Sequence, residues 1–175
     1  MPRLETERLI LREYRLEDFP AHTAIWDDPR TTRFFSSYAS GEEERWLRFL
    51  RNFGLWQLLG YGWWGLEDKN SHRYVGSVGF FQAKRPLAVS CRDLPEAGWV
   101  IAPDFHGRGL VREALTAALD WADKHIAAPE SWCMINVQNA ISRRVAEWAG
   151  YREIATTDYK GAPVWILTRP QGGQP

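Results

Sequence analysis

The most regular pattern of apolar and polar positions in the chain runs from residue 110 to residue 126. Apolar side chains recur there every three to four residues, and charged or hydroxyl side chains fall between them. This spacing predicts an amphipathic helix that buries one stripe. The stripe consists of Val111, Ala114, Leu115, Ala118, Leu119, Ala122 and Ile126. A strand is predicted at 96–101, and so the helix begins directly after a glycine-bearing turn.

The rest of the chain alternates between strand and helix patterns. Alternating apolar and charged residues predict a first strand at 4–14, and a helix is predicted from Glu17 to Asp27, stopped by Pro29. Ser40 and Glu43 form a predicted capping box that opens a second helix. Further strands are predicted at 60–67, 73–82, 132–137, 151–156 and 163–168, and a last helix at 139–149. The predicted order is β-α-α-β-β-β-α-β-α-β-β, which is an α+β domain.

The turn at residues 106–111 has the features of a phosphate site. Its sequence is His106, Gly107, Arg108, Gly109, Leu110 and Val111. The first N–H groups of a helix have no partner within it, the helix dipole adds positive charge there, and glycine allows a ligand close to the backbone. The alternative is an ordinary tight connection between strand and helix. A P-loop is excluded because Leu110 and Val111 follow the second glycine, and a dinucleotide fingerprint is excluded because residue 112 is Arg.

This turn resembles the pyrophosphate loop of the GCN5-related N-acetyltransferases. In that family the pattern is Gln or Arg, two residues, Gly, one residue, then Gly or Ala. Gly109 matches the central glycine, whereas His106 and Val111 depart from the usual residues. The resemblance implies that residues 106–111 hold the pyrophosphate of acetyl-CoA, mainly through main-chain groups.

A second motif supports the same resemblance. The stretch Asn136–Tyr151 is similar to a family pattern of Asn, two residues, Ser, then a helix that ends in Gly and an aromatic residue; Asn139, Ser142, Gly150 and Tyr151 match in register. The element order over residues 8–169 is also that of the family. The opening at residues 5–12 and the strand at 76–81 resemble the branch of ribosomal-protein alanine acetyltransferases. The resemblance implies a mixed, mostly antiparallel sheet of six to seven strands with about four helices.

The resemblance also implies roles for individual residues. Strands 96–101 and 132–137 are expected to splay apart and admit the cofactor, with the main chain of Trp99, Val100 and Ile101 pairing with the pantetheine arm. Glu96, at the head of the central strand, is the candidate general base; the alternative is a solvated carboxylate or one that only orients the amine. Ser142 is the candidate group near the sulfur, either as an acid or as a coenzyme A contact. Many relatives use a Tyr at the position of Ala146, so that route is closed here.

Asn139 has two open interpretations. Its residue type favours capping of the following helix, and the resemblance implies a contact with the pantetheine arm. Trp63 and Trp64 are adjacent and therefore face opposite sides of a strand, so that at least one is expected to line a cleft or an interface. Burial in the core is expected for most of the ten tryptophans.

Composition limits the other classes of function. The chain has 175 residues and 45% apolar residues, which suits one domain, predicted at 1–170 with a disordered tail at 171–175. A net charge of zero is unlike a nucleic-acid binder. No apolar run approaches the roughly 20 residues that a membrane helix needs. Cys91, Cys133 and the four histidines show no metal spacing, so no metal is predicted and the thiols suit a cytoplasmic protein.

Three functions remain after these exclusions. The first is an acetyl-CoA-dependent N-acetyltransferase that acts on a primary amine, either a protein N-terminus or a small molecule, by direct attack in a ternary complex. The second is a module that binds acyl-CoA without turnover, and the third is a tryptophan-rich interaction protein on the same fold. A homodimer is plausible for the resembling branch. The sequence does not identify the acceptor amine.

Overall fold

The chain forms one mixed sheet with helices against both faces, and the computed structural model describes residues 1–35 and 41–173. The described strands are β1 Leu4–Glu5, β2 Leu9–Arg12, β3 Trp63–Asp68, β4 Tyr74–Phe81, β5 Glu96–Ile101, β6 Glu130–Asn136, β7 Arg152–Tyr159 and β8 Ala162–Pro170. The described helices are α1 Phe19–Asp27, α2 Pro29–Thr32, α3 Glu42–Leu59, α4 Leu110–His125 and α5 Ala140–Trp148. Strand order is β1-β2-β3-β4-β5-β6-β8-β7, and of these neighbours β5 and β6 are the parallel pair. The predicted α+β class is confirmed.

The first predicted strand is in fact two short strands. β1 and β2 pair antiparallel, with Leu4 opposite Leu11, because the chain turns back on itself between them. The turn is held by a hydrogen bond from the main-chain N–H of Thr6 to the carbonyl of Leu9 (3.0 Å). The described part of the sheet therefore has eight strands rather than six to seven.

Pro29 was predicted to stop a helix, and in the structure it also begins the next one. α1 ends at Asp27, and Pro29 is the first residue of the short α2. Proline suits this position because its missing N–H would have no partner there, and the carboxylate of Asp28 caps the helix by accepting from the N–H of Arg30 (2.8 Å). The described residues thus contain five helices rather than four. The predicted capping box cannot be placed, since Ser40 lies outside the described residues; α3 begins after Gly41.

The other elements lie within a few residues of their predicted bounds. α4 buries the predicted apolar stripe against the sheet, and Ala114, Leu115 and Ala118 have no exposed surface. Full burial of a leucine such as Leu115 contributes about 1.5–3 kcal/mol to stability. The tail residues 174–175 lie outside the described residues, and the domain boundary at 170 stays a prediction.

The parallel strands β5 and β6 part almost as soon as they meet. Glu96 opposite Trp132 is their single register pair, and the N–H of Trp132 donates to the carbonyl of Pro95 (3.0 Å). Beyond this point the edge of β5 that faces β6 is not paired with it. A gap therefore opens along β5 from its amino end toward the glycine turn.

Candidate active site

The glycine turn is an open cradle at the start of α4. Gly107 and Gly109 have φ values of +74° and +78°, in the left-handed region that favours glycine. Gly109 is the N-cap of α4, and no side chain caps the helix within the described residues. A Cβ on Gly107 would meet nothing within 4 Å, and one on Gly109 would meet only the guanidinium of Arg8, at 3.6 Å. The positive end of the helix thus has no side-chain cap, and the space beside its two glycines is open, which suits a phosphate group.

The side chains of the turn hold it in place. His106 Nε2 donates to the carbonyl of Ile101 (2.8 Å), which ties the turn to the end of β5. Leu110 is buried, and Val111 packs against the core. Arg8 donates from Nη1 to the carbonyl of Arg108 (2.8 Å) and pairs with Glu113 of α4. Sequence reasoning missed Arg8, because it is 100 residues away in the chain and only the fold brings it here.

The free edge of β5 presents alternate main-chain groups to the gap. The N–H of Ala102 donates to Val75 of β4, and the carbonyl of Pro95 accepts from β6. Successive residues of a strand point their main-chain groups to opposite sides. The N–H groups of Trp99 and Ile101 therefore face the gap, while that of Val100 faces β4. The open edge fits an amide-bearing chain such as pantetheine.

The structure brings Trp99, Asn139 and Ser142 together beside this edge. Asn139 is the N-cap of α5, and its Oδ1 accepts from the N–H of Ser142 (3.0 Å). The indole Nε1 of Trp99 donates to Ser142 Oγ (3.0 Å), so that the hydroxyl proton of Ser142 is left to donate elsewhere. Ala146, one turn further along α5, is fully buried. Ser142 of the second motif thus lies against β5, one of the two strands that border the gap.

Glu96 is a buried member of an ion pair. Only 3% of Glu96 is exposed, and its carboxylate accepts from Arg85 Nε and Nη2 at 2.8–3.0 Å. The Cζ of Arg85 also lies 4.9 Å from the centre of the Tyr159 ring. Burial raises the pKa of Glu96, and the positive charges of Arg85 and Arg51 oppose part of that rise. Glu96 consequently holds a proton more readily than an exposed glutamate does.

A cavity of about 380 Å³ joins these residues. Glu96, Trp99, Asn139 and Ser142 line it, as do residues that the sequence did not single out. Those others include His22, Arg48, Arg51, Asn52, Arg85 and Lys160. Asn52 could have been recognised from the sequence, because it is a polar residue three positions after Phe49, on the buried side of α3. Of the two adjacent tryptophans, Trp63 lines the cavity and Trp64 is fully buried, as alternation predicted.

The described part of the chain contains neither a metal-binding cluster nor a membrane-spanning helix. No three His, Cys, Asp or Glu residues among 1–35 and 41–173 are grouped so that they would hold a metal ion. None of the helices there has both the length and the apolar character needed to cross a membrane. Cys91 and Cys133 are both buried free thiols, and burial raises both of their pKa values.

Comparison with known proteins agrees with this geometry. Residues 8–152 match the family described as "Acetyltransferase (GNAT) domain". The chain is 24% identical over 153 residues to the uncharacterised N-acetyltransferase YoaA of Bacillus subtilis, covering 87% of this chain and 84% of that protein. It superimposes on a putative GNAT-family acetyltransferase from Bordetella pertussis with a TM-score of 0.85 and 29% identity, over 97% of this chain and 99% of the other.

A more distant structure shares the fold and was solved with a ligand. It is RimL, the ribosomal L7/L12 α-N-protein acetyltransferase, in complex with coenzyme A, with a TM-score of 0.77 and 17% identity over 99% of this chain and 100% of that one. The resemblance to ribosomal-protein acetyltransferases therefore extends to the fold. The family match spans most of the chain, and it confirms the enzyme class that the two motifs predicted. This chain belongs to the GNAT acetyltransferase family.

Proposed function

We propose that this chain transfers the acetyl group of acetyl-CoA to a primary amine, with both substrates bound in the cleft at once. The observation that carries the proposal is the gap between β5 and β6. It leads from the glycine turn at one end of β5 to the buried carboxylate of Glu96 at the other. A long donor and a compact acceptor fit this arrangement, because the donor can lie along the open edge of β5 while the acceptor reaches Glu96 from the cavity, and the two meet beside Trp99.

The donor would be held mainly by main-chain groups. The turn from His106 to Val111 would bind its diphosphate through N–H groups at the start of α4. Trp99 and Ile101 would pair with the pantetheine amides, with Asn139 and Ser142 on the other wall. Coenzyme A in the RimL complex supports this assignment at the level of the fold. The chemistry that acetyl-CoA supplies is a thioester, whose acyl carbon is open to attack by an amine.

The acceptor must lose protons in this reaction. An ammonium group and a thioester give an amide, a free thiol and one proton; a C–N bond forms and the C–S bond breaks. Glu96 takes the proton that makes the amine neutral, directly or through water, and its raised pKa suits that role. Main-chain N–H groups that face the gap stabilise the negative charge on the carbonyl oxygen. Ser142 Oγ, which accepts from the indole N–H of Trp99, would donate its proton to the departing sulfur.

Glu96→Gln tests the base. The amide keeps the size of the side chain but cannot take up the proton, so kcat for acetyl transfer should fall about 100- to 10,000-fold. Thiol release in the presence of a panel of amines measures the rate, and calorimetry measures acetyl-CoA affinity, which should not change. Because the variant also leaves Arg85 without its partner, folding must be checked by thermal melting. Wild-type kcat in a folded variant would remove Glu96 from the mechanism.

The pH profile gives an independent test of the same residue. Only the ionised carboxylate accepts a proton, so activity is lost as pH falls through the pKa of Glu96. Since that pKa is raised, the acid limb of kcat/KM should lie above the range of an ordinary glutamate. A limb at the pH of an exposed carboxylate would assign it to another group.

A second function is favoured by one feature of the site. Arg85 already engages both oxygens of Glu96, which reduces their capacity to accept from a substrate. A protein that binds acyl-CoA without turnover would show micromolar acetyl-CoA affinity and no thiol release above the uncatalysed rate with any amine. The two measurements above therefore separate the alternatives.

A further inference from the structure

The wall of the cavity carries an excess of positive charge. Among the described residues, its lining includes four basic side chains and one acidic side chain. These are Arg48, Arg51, Arg85, Lys160 and Glu96. Arg48 and Lys160 have other interaction partners, whereas Arg51 and Arg85 both lie near Glu96. A cleft of one sign of charge concentrates ligands of the opposite sign.

Glu96 does not neutralise this excess. Its carboxylate is engaged by Arg85 through three contacts of 2.8–3.0 Å. Arg51 makes no side-chain hydrogen bond and no ion pair with residues 1–35 or 41–173, although it lies close enough to interact with both Arg85 and Glu96. Arg51 is exposed and lines the cavity, so an anion in the cavity can reach its guanidinium group.

Asn52 is a second polar group in this wall of the cavity. It lies one residue after Arg51 on α3, only 5% of it is exposed, and it lines the cavity. Its amide makes no hydrogen bond with any residue in the described ranges. The amide atoms of Asn52 are not among the buried polar atoms that lack a partner, so they are accessible from the cavity. The side chain of Asn52 therefore presents a donor and an acceptor to a ligand in the cavity.

The basic cluster is far from the turn that would bind the donor's diphosphate. Arg85 contacts Glu96 at the amino end of β5, whereas the turn follows the carboxyl end of the same strand. Five steps along a strand separate these ends by about 16 Å. The turn has its own basic residues, Arg8 and Arg108. The cluster around Arg51 therefore belongs to the part of the cleft that receives the acceptor.

An apolar surface adjoins the basic cluster. The rings of Trp63 and Phe81 are stacked, with centroids 5.2 Å apart, and both line the cavity. Trp63 lies directly over Gly98, where an added Cβ would be 2.4 Å from the indole. The missing side chain at Gly98 thus allows the aromatic pair to reach the middle of β5. A ligand here would meet an aromatic surface on one side and guanidinium groups on the other.

We propose that the acceptor is a small amine that carries a carboxylate and an apolar body, as an amino acid does. This inference rests on the proposed function for the amine, while the anion site rests on Arg51, Arg85 and Asn52. The carboxylate lies against Arg51 and Asn52, the apolar body lies on Trp63 and Phe81, and the amine faces Glu96. A polyamine, which is all cation, is disfavoured by the same charges.

Matched substrates test the carboxylate in the transfer reaction. L-Phenylalanine, L-phenylalaninamide, phenethylamine and spermidine are compared by kcat/KM, with the acetylated product identified by mass. The acid should exceed its amide about 10- to 100-fold, as expected for a charge-assisted hydrogen bond. Arg51→Gln should reduce this ratio to near one. Arg92→Gln, which removes the same charge from an exposed loop outside the cavity, should leave the ratio unchanged.

A binding measurement decides the anion site without turnover. N-acetyl-L-phenylalanine and N-acetyl-L-phenylalaninamide are titrated into the protein in the presence of coenzyme A. The acid should bind about tenfold or more tightly, and the difference should shrink with added salt and in Arg51→Gln. Equal binding, tighter binding of the amide, or no binding of either overturns the proposal. Preference for the acid without acetylation of any amine would instead contradict the proposed function and leave the anion site standing.

Discussion

The two ends of the cleft are built by different means. The turn at 106–111 is one continuous segment, and its main-chain N–H groups and two left-handed glycines face open space. The opposite end is assembled from α1, α3, the connection after β4, the head of β5 and the turn after β7, which contribute His22, Arg51, Arg85, Glu96 and Lys160. In the function that we propose, one end binds through the backbone and the other through side chains from five parts of the chain.

Because the two ends are built differently, they are suited to different kinds of ligand. Backbone N–H groups at a helix start suit any phosphate, so the turn specifies a class of donor that a whole family shares. Side chains with fixed charge and shape suit one kind of acceptor, and they change without altering the fold. A family match therefore identifies the donor chemistry, whereas the acceptor must be inferred from the particular charges in this cavity.

The largest expected effect comes from filling the backbone end. In Gly109→Glu, a carboxylate would stand over the N–H groups at the start of α4, and the residue would have to adopt φ +78°. Acetyl-CoA affinity measured by calorimetry should fall about 100-fold or more. The fold should survive, since an added Cβ meets only the end of the Arg8 side chain.

Gly172→Glu is the matched control for that variant. Gly172 has φ +72° and open space around its Cα, so the substitution adds the same charge and similar backbone strain far from the turn. Its acetyl-CoA affinity should remain that of the wild type. Equal losses in both variants would mean that strain, and not the turn, explains the effect.

The second prediction concerns the stability that the protein loses in acid because of His22, at the basic end of the cleft. Burial, and then the charge of Arg48, lower the pKa of His22 to about 4, from 6.5 in the unfolded chain. The unfolded state therefore takes up a proton first, and stability is lost as pH falls from about 6.5 toward 4. Between pH 7 and pH 5 the free energy of unfolding should fall by about 2 kcal/mol on account of His22. Urea denaturation at the two pH values measures this.

His22→Phe sharpens the test. The ring of His22 packs edge-on against Phe49, and its buried Nδ1 has no hydrogen-bond partner among the described residues, so phenylalanine keeps the aromatic contact. The variant should lose about 2 kcal/mol less than the wild type over the same pH interval. An equal loss would show that other groups cause the acid sensitivity.

The smallest expected effect lies between the two ends. Ser142→Ala removes the hydroxyl that accepts from Trp99 and that we propose donates to the donor's sulfur. Because the thiolate can also take its proton from water, kcat should fall by less than about tenfold, roughly the value of one hydrogen bond. Ser131→Ala, which removes a hydroxyl bonded to Tyr151 outside the cavity, serves as the control and should keep the wild-type rate. A loss of kcat in Ser142→Ala as large as that in Glu96→Gln would make Ser142 the principal acid.

The sequence predicted the backbone end well because local pattern determines it. The stripe of α4, the glycines and the strand before them are contiguous, and each follows from periodicity or residue type. The double strand at the amino terminus and the helix at Pro29 were missed because they depend on tertiary contacts and on a proline that starts a helix as readily as it stops one. Arg51 and Arg85 were missed because charged residues on a helix or in a connection are usually solvated.

The roles of Glu96 and Ser142 in the reaction remain predictions. The structure places Glu96 at the head of β5, as the predicted strand bounds required, but no sequence pattern indicated its ion pair with Arg85. It also places Ser142 against Trp99, a contact that the two separate motifs did not reveal. The predicted homodimer is not supported by the comparisons, and the predicted cytoplasmic location stays a prediction.

One calorimetric experiment tests most directly whether the donor binds at the glycine turn and the acceptor at the opposite end of the cleft. Acetyl-CoA is titrated into the wild type, Gly109→Glu and Arg51→Gln under the same conditions. The wild type and Arg51→Gln should bind with affinities in the micromolar range that differ by less than about threefold, and Gly109→Glu should show no binding. If Arg51→Gln loses as much affinity as Gly109→Glu, or if all three proteins bind alike, the donor and the acceptor do not occupy the ends assigned to them.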